Sequence, residues 1–178
     1  MVVNIRIGIT GLPRVGKTQA LLKLIGLLEE EEVTVGGMVT EAIIEDGERT
    51  GFKIMDWTTK EEGVMAHVAI ESKTMVGDYG VDIDEIERIG IPAIQTAIDE
   101  KDVIVIDEVG KMEVECAEFS VVVKEALETD KPILLTLHKK SRNPLLQDIR
   151  RRDDVRILEV TNLNKDFLPF KILRLLEG

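Results

Sequence analysis

The stretch Gly11-Leu12-Pro13-Arg14-Val15-Gly16-Lys17-Thr18 matches every fixed position of the phosphate-binding pattern G-x-x-x-x-G-K-[ST]. It follows an extended, largely apolar run at 2–9 and precedes a helical pattern at 17–32. The glycines let successive N–H groups turn around phosphate oxygens, and the helix start adds its positive dipole end. In this pattern Lys17 reaches the β- and γ-phosphates and the Thr18 hydroxyl binds Mg²⁺. The stretch therefore predicts a nucleoside triphosphate as ligand.

A second stretch, 102–107, carries the other half of the predicted site. Its four consecutive β-branched residues, Val103 to Ile106, are typical of a strand buried on both faces. Carboxyl ends of such strands line the ligand crevice of open α/β sheets, so Asp107 is expected beside the loop, holding Mg²⁺. Glu108 follows directly and is placed to orient or deprotonate a water that attacks the γ-phosphorus. The alternative for Glu108 is a surface acid at the strand's end.

The same residues, Asp107-Glu108-Val109-Gly110, also fit the D-x-x-G pattern of GTPase switch regions. A guanine-specific protein would be expected to carry N-K-x-D as well. The nearest match is Asn164-Lys165-Asp166-Phe167, in which the acid comes one place too early. Guanine specificity is therefore not supported.

Strand-like and helix-like stretches alternate along the chain, which predicts a three-layer α/β sandwich with a mainly parallel central sheet. Extended runs at 40–45 and 49–55 flank Asp46-Gly47, which predicts an antiparallel hairpin inserted into this fold. The remaining predictions are a second strand that begins at 33–35, an extended stretch at 64–71 paired with the hairpin, a helix capped by Asp82 and divided by Pro92, a helix spanning Phe119 to Leu127, a strand at 132–137, a helix capped by Asn143, a core strand at 155–160 and a terminal helix capped by Asn164.

Length and composition limit the possible functions. The 178 residues are expected to form a single domain, 1–178. The net charge of −11 and the lack of a basic face argue against a nucleic-acid partner. The single cysteine, Cys116, suits a reducing compartment, and no apolar run is long enough for a signal peptide or a membrane span. A cytoplasmic protein, expected to be monomeric, with no nucleic-acid or membrane partner, is predicted.

Other polar residues are weaker candidates. His138 follows a predicted strand next to the expected γ-phosphate and is a candidate phosphate contact, although such a histidine is more often structural or solvated. The arginines near the penultimate helix could supply an arginine finger, although a run of this kind is usually a solvated face. They are Arg142, Arg150, Arg151 and Arg152.

Taken together, these motifs resemble the small thermophile-type nucleoside-triphosphatases, the nucleoside-triphosphate phosphohydrolases of the P-loop class. The resemblance covers nearly the whole chain and depends on the order and spacing of several blocks. They are Ile9 to Thr18, Gly36-Gly37 with Thr40-Glu41, Gly47-Glu48-Arg49 with Gly51-Phe52, Val76 to Asp82, and Ile106-Asp107-Glu108-Val109-Gly110-Lys111-Met112-Glu113. The family commonly has an arginine soon after this Thr-Glu, whereas Ala42-Ile43-Ile44 stands here.

The resemblance implies a RecA/AAA-like core and slow, Mg²⁺-dependent hydrolysis of ATP, GTP, CTP and UTP with loose base preference. Lys17 and Glu108 take the catalytic roles, and Thr18 and Asp107 the metal-binding roles. The nucleotide-binding residues that it implies are Gly11, Leu12, Pro13, Arg14, Val15, Gly16, Lys17, Thr18, Asp107, Glu108, Val109 and Gly110.

Two other functions remain open at this point. A small-molecule or nucleotide kinase would use the same phosphate site, with an acceptor pocket built from the hairpin at 40–55 and the arginine-rich helix. A regulatory switch would bind nucleotide to control a partner, although the chain has no evident interaction tail or heptad seam.

Overall fold

A nine-stranded mixed sheet forms the centre of the structure, a computed structural model that describes residues 2–178. The strands are β1 (Arg6–Thr10), β2 (Val35–Glu45), β3 (Glu48–Asp56), β4 (Glu62–His67), β5 (Met75–Val76), β6 (Tyr79–Val81), β7 (Val103–Val109), β8 (Ile133–Leu137) and β9 (Val155–Glu159). Their order across the sheet is β5-β6-β4-β3-β2-β7-β8-β1-β9. The neighbouring strands β2, β7, β8, β1 and β9 pair in parallel, whereas β2, β3, β4, β6 and β5 pair antiparallel. The predicted parallel core with an antiparallel insertion is confirmed.

Helices cover both faces of the sheet. They are α1 (Lys17–Glu30), α2 (Ile83–Glu85), α3 (Ile91–Glu100), α4 (Ala117–Leu127), α5 (Pro144–Arg151) and α6 (Leu168–Glu177). One buried cluster joins α1 and α6 to the sheet through residues such as Leu24 and Val105, and another joins α3 and α4 to it through residues such as Phe119 and Ile106. Consecutive residues of β7 fall into opposite clusters, which explains its unbroken apolar sequence. In residues 2–178 no helix is long and apolar enough to cross a membrane.

Two helix starts follow the sequence prediction. The Asp82 side chain accepts a hydrogen bond from the Glu85 N–H, and the Asn143 side chain accepts one from the Leu145 N–H. The predicted division of the helix near Pro92 is also present, because a π-helical turn at Ile86–Gly90 separates α2 from α3. Pro92, which has no N–H, is the second residue of α3 and follows this turn directly, where the Ile91 N–H bonds to the Ile86 carbonyl oxygen.

The second strand, predicted to begin at 33–35, begins at Val35 and is the long strand β2, which continues through Gly36-Gly37 into the hairpin. Two other predictions are wrong. The predicted core strand at 155–160 is the edge strand β9, and Arg156 and Ile157 are both exposed because an edge strand has neighbouring side chains on one side only. Asn164 does not cap α6. Instead its side-chain oxygen accepts a hydrogen bond from the Thr161 N–H at 2.7 Å, and the helix begins only at Leu168.

The β2–β3 hairpin extends beyond the carboxyl edge of the parallel sheet. The pairing of β2 with β7 ends at Met38, whereas its pairing with β3 continues to Glu45. The seven residues past Met38 span about 20 Å of extended chain. Asp46 and Gly47 close the hairpin with positive φ angles of 51° and 79°, as a two-residue turn requires. The hairpin therefore stands at the edge of the sheet where the predicted site lies.

Candidate active site

The loop at 11–16 joins the carboxyl end of β1 to the start of α1, as predicted. Gly16 precedes the helix with φ 108°, a conformation that residues with a Cβ rarely adopt. At Gly11 a Cβ would lie 2.8 Å from the Val160 carbonyl oxygen, so a larger residue would collide with the chain after β9. Leu12, Pro13 and Arg14 are exposed at the tip of the loop, and Val15 is half-buried. The loop thus offers mainly its backbone N–H groups for phosphate binding.

Lys17, at the first position of α1, is held at the centre of the site. Its Nζ lies 2.8 Å from Glu108 Oε2 and 3.5 Å from the carbonyl oxygens of Gly11 and Leu137. These three contacts belong to the loop, the end of β8 and the end of β7. The ammonium group therefore joins the phosphate-binding loop to the predicted catalytic acid.

Thr18 and Asp107 meet although they are 89 positions apart in the chain. The Thr18 hydroxyl donates to both Asp107 carboxylate oxygens, at 3.2 Å for Oδ1 and 3.0 Å for Oδ2. The Thr136 hydroxyl donates to Oδ1 at 2.5 Å, and the Thr40 N–H donates to Oδ2 at 3.5 Å. The sequence analysis assigned no contact to Thr136 or Thr40. A signal for Thr136 was available, since it is the sole polar residue of the buried strand Ile133–Leu137.

Burial dominates the electrostatics of Asp107, which is 1% exposed. Burial raises the pKa of Asp107 to about 6, and the charge of Glu108 adds to the rise, while the hydrogen bonds from Thr136, Thr18 and Thr40 lower it. Within residues 2–178 no lysine, arginine or histidine forms an ion pair with Asp107. A buried carboxylate without a cationic side chain, next to a hydroxyl, is a donor set of oxygens that a hard cation such as Mg²⁺ prefers. The residues present thus fit the metal that the sequence predicts.

A further carboxyl group, that of Glu113, lies close to Glu108 and is only 4% exposed. A Cβ on Gly110 would lie 2.8 Å from Glu108 Oε1 and 2.9 Å from Glu113 Oε2, so both carboxylates lie against Gly110. Burial, together with the charges of Glu108 and Asp107, raises the pKa of Glu113 well above its usual range. Val109 turns its side chain into the core, and only its backbone borders the site. The sequence analysis gave Glu113 no separate role.

The candidate arginines are mostly engaged in structural contacts. The Arg150 guanidinium donates to the carbonyl oxygens of Ser141 and His138 in the loop after β8, and Arg152 forms ion pairs with Glu128 and Asp154. Arg142 and Arg151 are exposed. No arginine in residues 2–178 contacts Lys17, Asp107 or Glu108 through a hydrogen bond or ion pair, so the structure does not support a particular arginine finger.

Comparison with known proteins agrees with this arrangement. The sequence model of the family described as NTPase matches residues 6–173. The nucleoside-triphosphatase THEP1 of Thermoplasma volcanium is 40% identical over 174 residues, which is 98% of each chain. That of Thermofilum pendens is 42% identical over 167 residues, which is 93% of this chain and 92% of the relative.

Two solved structures share the fold. The crystal structure of THEP1 from the hyperthermophile Aquifex aeolicus superposes with a TM-score of 0.89 at 32% identity, covering 98% of this chain and 100% of the other. The solution structure of a human cancer-related nucleoside triphosphatase superposes with a TM-score of 0.80 at 31% identity, covering 96% of each chain. With a P-loop at Gly11 to Thr18 and full-length similarity to these proteins, the chain belongs to the THEP1-type nucleoside-triphosphatase family of P-loop NTPases.

Proposed function

We propose that this protein hydrolyses nucleoside triphosphates to diphosphate and phosphate, by in-line attack of water on the γ-phosphorus. The names of its relatives as nucleoside-triphosphatases support this activity. The observation that carries the mechanism is the ion pair of 2.8 Å between Lys17 Nζ and Glu108 Oε2. It brings the ammonium that binds the outer phosphates into contact with the carboxylate that would receive a proton.

Each residue then has one task. The N–H groups of the loop at 11–16 bind the phosphates, because the loop turns its backbone toward the start of α1. Lys17 offsets charge on the β- and γ-phosphates. Glu108 orients the attacking water and accepts its proton. Thr18 and Asp107 would hold Mg²⁺, which when bound supplies neutralisation of the phosphate charge.

Base preference is proposed to be loose, so that ATP, GTP, CTP and UTP are all substrates. The chain after β9 borders the phosphate loop, since the Val160 carbonyl oxygen lies against Gly11. Near it, Thr161 and Asn164 are hydrogen-bonded to each other through side chain and backbone at 2.7 and 3.3 Å. Because the side-chain oxygens of Thr161 and Asn164 already accept hydrogen bonds from each other's backbone, they are less available to bind a base. This favours weak discrimination among bases.

The kinase alternative loses part of its support. Its acceptor pocket was expected to use the arginine-rich helix, whereas Arg150 and Arg152 bind backbone and neighbouring acids. Hydrolysis also requires only water as acceptor. We therefore retain the hydrolase as the function. We further propose that the protein acts as a monomer in the cytoplasm.

The replacement Glu108→Gln tests this mechanism. It keeps the size of the side chain and removes the base, so phosphate release is expected to fall about a hundredfold or more. The dissociation constant of a non-hydrolysable triphosphate should stay within about threefold of the wild-type value, because the loop and Lys17 are unchanged. Both are measured with purified protein, by a phosphate-release assay and by calorimetry.

Glu115→Gln is the matched control, since Glu115 is an exposed acid of the same segment and no contact links it to the site. Its turnover should equal that of the wild type. Unchanged turnover in Glu108→Gln would remove Glu108 from the mechanism. A small-molecule acceptor that gains more phosphate than is released to water would contradict the hydrolase and favour the kinase.

A further inference from the structure

His138 stands at the carboxyl end of β8, between the two halves of the site. The backbone N–H of His138 donates to the backbone carbonyl oxygen of Val109 at 3.2 Å, and Val109 follows Glu108 in the chain. The carbonyl oxygen of the preceding residue, Leu137, lies 3.5 Å from Lys17 Nζ. His138 follows the last residue of β8 and comes two positions after Thr136, which contacts Asp107. A phosphate bound by Lys17 would therefore lie close to His138.

The loop after β8 determines where the imidazole carries its proton. His138 Nδ1 accepts hydrogen bonds from the N–H groups of Ser141 at 3.0 Å and Lys140 at 3.2 Å. Two donors directed at Nδ1 exclude a proton there, so the neutral ring carries its proton on Nε2. Within residues 2–178 Nε2 has no hydrogen-bond partner, which leaves this donor available.

Burial is the main influence on the pKa of His138, and it favours the neutral ring. Burial lowers the pKa of His138, and Lys111, Lys17 and Arg150 lower it further, while Glu108 opposes them. Protonation at Nδ1 would in addition break two hydrogen bonds to the loop.

Arg150 holds this loop in place. Its guanidinium donates to the carbonyl oxygens of Ser141 at 2.6 Å and Lys139 at 3.2 Å, and also to that of His138. Three carbonyl groups of the loop are thereby fixed to α5. The orientation of the imidazole is set by backbone contacts alone, before any ligand arrives, as a preorganised donor requires.

We propose that His138 is a phosphate-binding residue whose Nε2–H donates a hydrogen bond to an oxygen of the terminal phosphate, so that the site prefers triphosphate to diphosphate. This inference rests on the proposed function. In this proposal the loop after β8, which Arg150 holds in place, orients the Nε2–H toward the phosphate.

Two substitutions separate the two edges of the ring. In His138→Asn the side-chain oxygen occupies the place of Nδ1 and keeps an acceptor for the loop, but nothing replaces Nε2. In His138→Gln the longer amide brings an N–H group to the place of Nε2, but the acceptor for the loop is lost. If His138 only supports the loop, Asn should preserve its role better than Gln. If His138 donates to phosphate, Gln should preserve nucleotide binding better than Asn.

The measurement is the ratio of dissociation constants for ADP and the β,γ-imido analogue of ATP, with Mg²⁺, by calorimetry. A hydrogen bond to a charged group is worth about a tenfold to hundredfold change in affinity. His138→Asn should weaken binding of the analogue about tenfold or more, with ADP affinity and Tm nearly unchanged. His138→Gln should keep the ratio within about threefold of wild type although its Tm falls.

An unchanged ratio in His138→Asn would overturn the proposal, as would a loss of affinity for both nucleotides that follows Tm in the two variants. A wild-type protein that binds both nucleotides equally would overturn it too. Phosphate release by the wild type is measured in parallel. If the binding ratio behaves as expected but no phosphate is released, the proposed hydrolysis fails and the assignment of His138 as a triphosphate contact stands.

Discussion

At the scale of single residues, Asp107 shows how binding capacity is gained at the expense of stability. The carboxyl group is fully buried, and hydrogen bonds from three donor groups offset only part of the cost of removing its charge from water. An ordinary aspartate has a pKa of 3.8, whereas burial raises the pKa of Asp107 to about 6. A raised pKa means that the folded protein holds this proton at pH values where the unfolded chain has released it. Ionisation of Asp107 therefore destabilises the fold increasingly between about pH 4 and pH 6, and fully above that range.

The replacement Asp107→Asn should consequently stabilise the protein at neutral pH. A shift of about two pKa units corresponds to about 3 kcal/mol, so the gain at pH 8 is expected to be at most about that size. It should shrink at pH 5, where the wild-type carboxyl group is mostly protonated. Urea unfolding at both pH values, in buffer with a chelator, measures the difference.

Asp130→Asn is the control, since it removes one charge from an exposed position. It should show no comparable gain at pH 8. An Asp107→Asn protein that is equally or less stable than wild type at pH 8 would mean that its carboxylate is better compensated than its burial indicates.

At the scale of elements, β2 belongs to both halves of the sheet. It pairs with β7 in parallel and continues beyond that pairing as one strand of the hairpin. On β2, Gly37 pairs with Val105 of β7 and has a φ of 128°. A Cβ at Gly37 would lie 1.9 Å from the Val105 carbonyl oxygen. Glycine is needed here for contact between backbones, within a strand rather than at its end. The close approach lies two residues before Asp107 on β7 and so helps to fix the position of the proposed metal-binding pair, Thr18 and Asp107.

Gly37→Ala is expected to destabilise the protein by roughly 3 kcal/mol or more, because the strand must move away from β7 and adopt a strained φ. Gly26→Ala is the matched control. Gly26 lies within α1, and no atom lies within 4 Å of an added Cβ there. It should stabilise the protein by up to about 1 kcal/mol, through a lower entropy cost in the helix. Equal stabilities of the two variants in chemical unfolding would refute this account of Gly37.

At the scale of the whole molecule, the sheet is half parallel and half antiparallel, and the question is whether the halves unfold together. The single tryptophan, Trp57, follows β3 in the antiparallel half. Its Nε1–H donates to Glu29 Oε1 at 2.8 Å, so it is bonded to the end of α1. Trp57 also packs against the cluster beneath α1 and α6. These contacts join the hairpin region to the layer that carries the phosphate loop.

We expect one cooperative transition, with Trp57 fluorescence and far-UV circular dichroism giving the same midpoint, as for a single domain. A non-hydrolysable triphosphate with Mg²⁺ at a hundred times its dissociation constant should raise the stability seen by both probes by about 2.7 kcal/mol. Lys17→Ala should lose most of that gain. A fluorescence midpoint that comes clearly before the other would show that the antiparallel half unfolds by itself.

Local sequence was sufficient for the phosphate loop, the buried strand before Asp107, the Asp46-Gly47 turn and the caps at Asp82 and Asn143. Each follows from rules that act over a few neighbouring residues: backbone freedom at glycine, alternation or continuity of apolar residues, and a side chain that bonds to a nearby N–H. The same rules misplaced β9, because whether a strand is central or at an edge depends on what pairs with it.

The assembly of the site depended on the fold. β8 lies between β1 and β7, and this order brings Thr136 to Asp107, Leu137 to Lys17, and the His138 backbone to that of Val109. The residues come from segments separated by tens to more than a hundred positions, so no pattern within a short window reports their contact. Strand order and side-chain burial are properties of the packed molecule. They bring the separate motifs into one site, with Lys17 paired to Glu108, a buried Asp107 and an imidazole of His138 held by its loop.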